Sequence, residues 1–165
     1  MDGLLVGRFQ PFHLGHLDAV LFGLSRTENL FVGVGSSNKS NEKKNPFSAE
    51  ERKEMIISSI ESSMLGRVKI FEIPDVDNHE KWTFEIDQIV PKYDVVFTND
   101  EFTKTLFEKR KISVISVVLK DREKFSGTNI RDLIVDDKNW QGLVPQGTRK
   151  VLDNLNAKEL SLIHI

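Results

Sequence analysis

The sequence predicts an α/β protein in which a doubly wound parallel sheet carries helices on both faces. Short apolar runs of strand length alternate along the chain with stretches in which apolar residues recur at helical spacing. Such alternation is typical of βαβ units, whose parallel strands are covered on both sides. The chain has 165 residues and neither an internal repeat nor a long linker, so we expect one domain over residues 1–165.

The first half of the chain contains two strands and two helices. Leu17, Val20 and Leu24 recur at spacings of three and four, which indicates a helix. Ser48 and Glu51 have the spacing of a capping box, which indicates the start of another. In order, we predict a strand over 4–6, a helix over 14–24, a strand over 30–34, a polar loop over 36–45 and a helix that begins at residue 48.

The second half continues the alternation. Trp82, Ile86 and Ile89 indicate a helix that ends before Pro91. Around it we predict a strand over 68–73, a strand over 94–97, a short helix through 106–107, a strand over 114–119, a helix over 128–135 and a last helix from about 145. An apolar tail over 160–165 can pack on the domain, contact a neighbouring subunit or fray.

Composition excludes several classes of function. Lys and Arg total 23 against 25 Asp and Glu, a net charge of −2, which argues against a nucleic-acid partner. The chain has no cysteine, which excludes disulfide scaffolds, cysteine-ligated zinc and thiolate nucleophiles. No apolar run approaches the roughly 20 residues of a membrane-spanning helix, and the N-terminus lacks the basic region of a secretory signal. We therefore expect a soluble, cytoplasmic protein without a membrane partner.

Ligands of such sheets bind beyond the carboxyl ends of the strands, near the point where strand order reverses. This rule directs attention to segments 7–16, 35–46, 73–82 and 119–131. Segment 7–16 reads GRFQPFHLGH, a His-x-Gly-His pattern at a strand-to-helix turn. Gly7 and Gly15 let a ligand approach the backbone, and a helix N-terminus offers free N–H groups to an anion.

His13 and His16, three residues apart, can point to one side and donate to phosphate oxygens. The alternative is a helix start with two incidental surface histidines. A zinc site is a poorer interpretation, because no cysteine and few further histidines could complete it.

The second motif is SGTNIR at 126–131, where a helix begins. The hydroxyls of Ser126 and Thr128 and the free backbone N–H groups form another anion site, and Arg131 can reach back one turn toward it. Ordinary N-cap chemistry is the alternative. Because both motifs follow strands at one edge of the sheet, together they suggest a nucleoside triphosphate.

These two motifs resemble the signatures of the HxGH nucleotidyltransferase superfamily, the second being similar to its ISSTxxR-type element. The closer resemblance is to archaeal-type nicotinamide-nucleotide adenylyltransferases and spans nearly the whole chain in order. Besides segments 7–16 and 126–131, the shared features are Gly35-Ser36, Asn45-Pro46-Phe47 with Glu51-Arg52, Trp82, and Val96-Phe97-Thr98. The resemblance implies a Rossmann-like fold of the nucleotidyltransferase type.

It also implies a reaction, in which the phosphate of nicotinamide mononucleotide attacks the α-phosphate of ATP in line and yields NAD and pyrophosphate. No protein nucleophile is needed. Mg²⁺ would be held mainly by the substrate phosphates, which suits an ion that keeps water and phosphate ligands. The family further implies a homo-oligomer, with a hexamer as a frequent form.

The resemblance assigns roles to individual residues. Catalytic roles fall to Arg8, His13, His16 and Arg131. Contacts with ATP fall to Gly7, Phe9, Gln10, Gly15, Ser126, Gly127 and Thr128. Contacts with the mononucleotide fall to Ser36, Lys44, Asn45, Ile73 and Trp82, with Lys44 on its phosphate and Trp82 stacked on the nicotinamide ring. Around the two polyanions we expect a concentration of cationic side chains made by Arg8, His13, His16, Lys44 and Arg131.

Several alternatives stay open. Trp82 also fits a core-facing helix position, and His79 fits a loop residue. The acid of loop 75–79 that reads the carboxamide is not fixed, and the charge run 121–124 is typical of a solvated loop. The acceptor could be another phosphorylated molecule, as in pantetheine-phosphate adenylyltransferases or cytidylyltransferases. Outside the enzymes, a nucleotide-sensing module that has lost catalysis is the competing hypothesis.

Overall fold

Five parallel strands form one sheet in a computed structural model that describes residues 1–118 and 121–156. The strands are β1 (Asp2–Gly7), β2 (Asn29–Val34), β3 (Val68–Glu72), β4 (Val95–Thr98) and β5 (Ser113–Ser116). Their order is β3-β2-β1-β4-β5, and each neighbouring pair is parallel. The predicted doubly wound parallel sheet is confirmed.

Each predicted helix is present. The helices are α1 (Leu14–Arg26), α2 (Ala49–Ser59), α3 (Ser62–Leu65), α4 (His79–Ile89), α5 (Glu101–Glu108), α6 (Gly127–Val135) and α7 (Gln146–Leu155). The capping box of α2 forms as predicted, with Ser48 Oγ 3.1 Å from the N–H of Glu51 and Glu51 Oε1 2.7 Å from that of Ser48. The sequence did not predict α3 or a 3-10 turn at Gln141–Leu143, since such short elements show no period.

The last strand is shorter than predicted, since β5 ends at Ser116. Position 119 and the apolar tail 160–165 lie outside the described residues. Within 1–118 and 121–156, no helix is both long and apolar enough to cross a bilayer.

The core lies on both faces of the sheet, because neighbouring residues on each strand point to opposite sides. On β1, Leu5 packs into a cluster with α1, α2, α6 and α7, whereas Leu4 packs against α4 and α5. Val32 and Phe31 on β2 divide in the same way. Strands buried on both faces read as continuous apolar runs, which is the pattern from which they were predicted.

The strand order reverses between β1 and β4, because the chain builds β2 and β3 on one side of β1 and then crosses to the other. Gly3 to Leu5 of β1 pair with Val95 to Phe97 of β4. The carboxyl ends of these two strands therefore border the crevice where α/β sheets bind ligands.

Candidate active site

His13 and His16 cap each other at the start of α1. The Nδ1 atom of His13 accepts from the backbone N–H of His16, and Nδ1 of His16 accepts from that of His13, both at 3.2 Å. The two rings stack, with centroids 3.6 Å apart and planes 18° from parallel. Because both Nδ1 atoms act as acceptors, the proton of each neutral imidazole belongs on Nε2. The pair therefore offers two parallel Nε2–H donors.

Both histidines are neutral at physiological pH, so they do not belong to the expected concentration of cationic side chains. Burial lowers the pKa of His13 from 6.5 to about 4. Burial also holds the pKa of His16 well below 6.5, and the nearby charge of His13 adds to this effect. The His16 ring packs against those of Phe9 and Phe12, with centroids 4.8 Å and 5.8 Å away. The pair acts through hydrogen bonds rather than through net charge.

The glycine of the motif makes room for this arrangement. A Cβ on Gly15 would lie 2.9 Å from Cε1 of His13, closer than real Cβ contacts come. A side chain there would push the His13 ring away from its cap. The His-x-Gly-His pattern therefore encodes the packing of the two rings as well as access for a ligand.

This burial makes stability depend on pH. A buried neutral His13 binds fewer protons than the unfolded chain, so stability is full above pH 6.5 and falls as pH drops toward about 4. One such group contributes a slope of about 1.4 kcal/mol per pH unit within this window. Urea unfolding from pH 7.5 to 4.5 should show the loss. In His13→Asn, which retains a good N-cap residue, we expect a shallower dependence. An unchanged slope would contradict the burial effect.

The second motif forms the start of α6 and contacts the first. Ser126 Oγ caps the helix by accepting from the N–H of Asn129 at 3.1 Å. One Arg131 nitrogen donates to the carbonyl of Gln10 at 2.7 Å, and the other lies 3.4 Å from Thr128 Oγ1. A Cβ on Gly127 would fall 2.7 Å from the Arg131 guanidinium. The structure thus joins the two motifs through Arg131.

A cavity of about 690 Å³ lies beside this junction, and we call it the cationic cavity. Its walls include Arg8, Lys43, Lys44, Thr128 and Arg131. Burial lowers the pKa of Arg131, and the neighbouring positive charge of Arg8 lowers it further. Like charges gathered in this way favour an anion between them.

Lys44 lies on the wall of this cationic cavity. The sequence assigned it to the mononucleotide phosphate, together with Ser36 and Trp82, which line a different cavity. The Lys44 carbonyl accepts from Arg8 Nη2 at 2.7 Å, and the same nitrogen donates to Asn45 Oδ1 at 3.0 Å. The Lys44 side chain is thereby grouped with Arg131 and not with Trp82.

A second cavity, of about 770 Å³, opens on the other side of Arg8, and we call it the acidic cavity. Asp75 and Asp77 both line it, which answers which acids of loop 75–79 reach a site. Asp75 accepts from Ser36 Oγ at 2.9 Å and pairs with Lys39 Nζ at 3.4 Å.

Trp82 lies between the core and a cavity, so both alternatives left open by the sequence remain compatible with its position. It is partly buried and packs edge-on against Phe107, with ring centroids 6.2 Å apart, and it also lines the acidic cavity. His79 begins α4 and lines the same cavity, in contact with the Phe102 ring at 5.0 Å.

Among the predicted contact residues that are buried, three support the loops around the cavities. The Gln10 amide pairs with the backbone of Phe47 through two 3.0 Å hydrogen bonds. Ile73 is fully buried in the core, and its carbonyl accepts from the N–H of Ser37. Asn45 is also buried, with its side chain held between Arg8 and Glu42. The contacts of these residues brace the loops around the two cavities.

Segment 99–103, which lines the acidic cavity where β4 ends, was not identified as a candidate site from the sequence. Asp100 caps α5 by accepting from the N–H of Thr103 at 2.9 Å, and the Phe102 ring is 53% exposed. Asn99 also borders a small cavity of about 90 Å³ with Gly7 and His16. The signal that could have identified this segment is the end of the strand predicted over 94–97. That signal is useful only with the strand order, because the order places this strand beside β1.

Two solved structures share this fold. Crystal structures of a bifunctional NMN adenylyltransferase/ADP ribose pyrophosphatase from Francisella tularensis match with TM-scores of 0.79 and 0.76, the latter complexed with AMP and a manganese ion. Both are 21% identical and cover 98% of this chain. The chain spans 52% of the length of that bifunctional protein.

The family comparison defines the class. The model of the cytidylyltransferase-like family matches residues 4–133, so with its paired histidines and cationic cavity the protein is a nucleotidyltransferase. Nicotinamide-nucleotide adenylyltransferase from Thermococcus sibiricus is 35% identical over 161 residues, covering 96% of this chain and 87% of the relative. The enzyme from Picrophilus torridus is 34% identical over 157 residues, covering 95% and 93%. The chain belongs to the nicotinamide-nucleotide adenylyltransferase family.

Proposed function

We propose that this protein transfers the adenylyl group of ATP to nicotinamide mononucleotide, giving NAD and pyrophosphate, across the boundary between the two cavities. The observation that carries the proposal is that Arg8 lines both cavities. A triphosphate in the cationic cavity and a mononucleotide in the acidic cavity would meet at this guanidinium. The small cavity beside His16 would then take part of the ATP nucleoside, next to the helix start.

The reaction joins two anions, so the protein must align them and reduce their repulsion. The attacking oxygen belongs to the mononucleotide phosphate, and the leaving group is pyrophosphate. Alignment of two bound reactants can lower a barrier by roughly 7–11 kcal/mol. Arg8 between the cavities and Arg131 in the cationic cavity supply fixed positive charge, and Arg131 would hold the leaving phosphates.

His13 and His16 serve as neutral donors to the α-phosphate. Their Nδ1 atoms are engaged by backbone N–H groups, so the rings cannot turn without loss of the helix cap. Donors fixed in this way need no reorganisation as charge grows on the phosphate oxygens, and one such donor contributes about 2.7–4 kcal/mol. Neither ring has to gain or lose a proton.

Mg²⁺ would enter bound to ATP. Among residues 1–118 and 121–156, no group of three or more His, Asp or Glu side chains could hold a metal ion. The walls of the cationic cavity are mainly positive, with Asp132 and Asp136 at its border. These residues fit an ion whose ligands are phosphate oxygens and water, and such an ion would neutralise phosphate charge.

Lys44 is proposed to contact the triphosphate, because it shares the cationic cavity with Arg131. In Lys44→Ala we expect KM for ATP to rise about tenfold, corresponding to about 1.4 kcal/mol, with a smaller change in KM for the mononucleotide. Steady-state kinetics with each substrate varied in turn would measure the difference. Lys39→Ala is the matched control, since Lys39 lines the acidic cavity. If Lys44→Ala affects the mononucleotide more, its original assignment stands.

The reaction is tested by following pyrophosphate release with ATP and Mg²⁺ and one acceptor at a time. Turnover with nicotinamide mononucleotide is expected. Turnover with phosphopantetheine alone would overturn the proposal, and ATP binding without pyrophosphate release from any acceptor would indicate a sensing module. A competition between nicotinamide and nicotinic acid mononucleotides at fixed ATP would define the preferred base. A cytoplasmic location, expected from the composition, and a homo-oligomeric state, implied by the family resemblance, are part of the same proposal.

A further inference from the structure

Arg52 is fully buried beneath the two cavities. Its side chain is 0% exposed and lies on the first turns of α2. Its three guanidinium nitrogens donate to four backbone carbonyls, those of Arg8 (2.8 Å), Gly35 (2.6 Å), Ser36 (3.2 Å) and Ser48 (3.1 Å). Burial of a charge among neutral acceptors costs free energy, so we expect this arginine to have a role beyond packing.

The residues whose carbonyls accept these hydrogen bonds indicate what that role is. Arg8 and Gly35 are the first residues after β1 and β2, and Ser36 follows with a left-handed φ of 49°. Left-handed backbone is unfavourable for a serine, and the contact between Arg52 and the Ser36 carbonyl helps to hold it. In this conformation Ser36 Oγ reaches Asp75 on the wall of the acidic cavity. The Arg8 carbonyl, held by the same guanidinium, belongs to the residue between the cavities.

We propose that Arg52 is a positioning residue, which holds the backbone of Arg8 and Ser36 in the conformation that binds the mononucleotide. The inference rests on the proposed function, because it assigns the acidic cavity to that substrate. It also explains why arginine stands on the apolar side of α2, three residues before Met55 and four before Ile56. A planar guanidinium can reach four carbonyls that lie in different directions, whereas a lysine ammonium has a single nitrogen.

The test compares two substitutions at this position. Arg52→Lys keeps a charge without the planar guanidinium, and Arg52→Met keeps the volume but removes both the charge and the hydrogen-bond donors. We expect kcat/KM for nicotinamide mononucleotide to fall about 10–100-fold in both, the range expected for displacement of about 1 Å. The loss should appear mainly in KM for the mononucleotide, and KM for ATP should change less.

Met55→Ala provides the matched control. Met55 lies on the same helix, is fully buried and packs into the core cluster. Met55→Ala should lower the melting temperature through the cavity it leaves and leave both KM values close to those of the unmodified protein. A further readout is rescue, in which millimolar guanidinium restores mononucleotide affinity to Arg52→Ala and leaves the KM values of Met55→Ala unchanged.

The outcomes separate this inference from the proposed function. The unmodified protein tests the function in the same assay, since it forms NAD or does not. If it forms NAD and the Arg52 variants keep normal KM values, or lose affinity for both substrates equally, the positioning role is wrong. If it forms no NAD, calorimetric titration of nicotinamide mononucleotide and of ATP into the same variants still tests whether Arg52 acts on the acidic cavity.

Discussion

Replacement of His16 by alanine should lower kcat for NAD formation by roughly 10²–10³-fold, the effect of losing one fixed donor to a developing oxyanion. The imidazole Nε2–H is the group removed. The hydrogen bond from the backbone N–H of residue 16 to His13 Nδ1 does not involve the replaced side chain. The helix start is thereby retained, and the loss can be attributed to the donor. Initial rates at saturating ATP and mononucleotide would measure it.

His13→Asn is the companion variant, since asparagine is a strong N-cap residue and lacks the distal donor. We expect a similar loss of kcat with a melting temperature near that of the unmodified protein. The rate of the unmodified enzyme should show no acid limb near pH 6.5, because the pKa of His13 is lowered to about 4 and that of His16 lies well below 6.5. Rates within fivefold of normal in both variants would exclude the donor role.

The fold could be predicted almost entirely from the sequence. Its inner strands are buried on both faces and thus read as apolar runs, and Pro74 and Pro91 mark where segments end. The strand predicted over 114–119 was too long, because an apolar run indicates that residues are buried and not that they pair with a neighbouring strand. Val117 continues the run and is buried, and its N–H donates to the Thr98 carbonyl, but it lies beyond the end of β5.

The site could be predicted where its signals are local in the sequence. The segments 7–16 and 126–131 each contain their own helix start, and the structure brings them together through Arg131 and Gln10. Segment 99–103 was not selected, since its place depends on β4 lying beside β1. Arg52 carried one local signal, a charged residue on the apolar side of a helix.

The polar loop over 36–45 shows why the sequence alone does not place every site residue. Its ten residues have no hydrophobic period, so the sequence cannot tell which side each lysine faces. The structure places Lys39 at the acidic cavity and Lys44 at the cationic cavity. That division follows from hydrogen bonds of Arg8 to the Lys44 carbonyl and the Asn45 side chain, which are long-range contacts.

Removal of Arg131 should weaken the use of ATP far more than that of the mononucleotide. Its guanidinium lines the cationic cavity and is fixed by the carbonyl of Gln10 at 2.7 Å. A hydrogen bond to a charged group contributes about 1.5–3 kcal/mol, so kcat/KM for ATP in Arg131→Ala should fall about 10–150-fold. Arg131→Lys should be intermediate, because lysine retains the charge but not the bidentate geometry.

Asp132→Asn tests whether this effect is electrostatic. Asp132 is exposed on the same cavity wall and carries the opposite charge, so its neutralisation should lower KM for ATP by a factor of about 2–3. Opposite shifts in neighbouring variants cannot arise from a common loss of stability. Salt should reduce both shifts, since exposed charges are screened. If Arg131→Ala instead raises KM mainly for nicotinamide mononucleotide, the two substrates have been assigned to the wrong cavities, and the attacking phosphate would lie at α6.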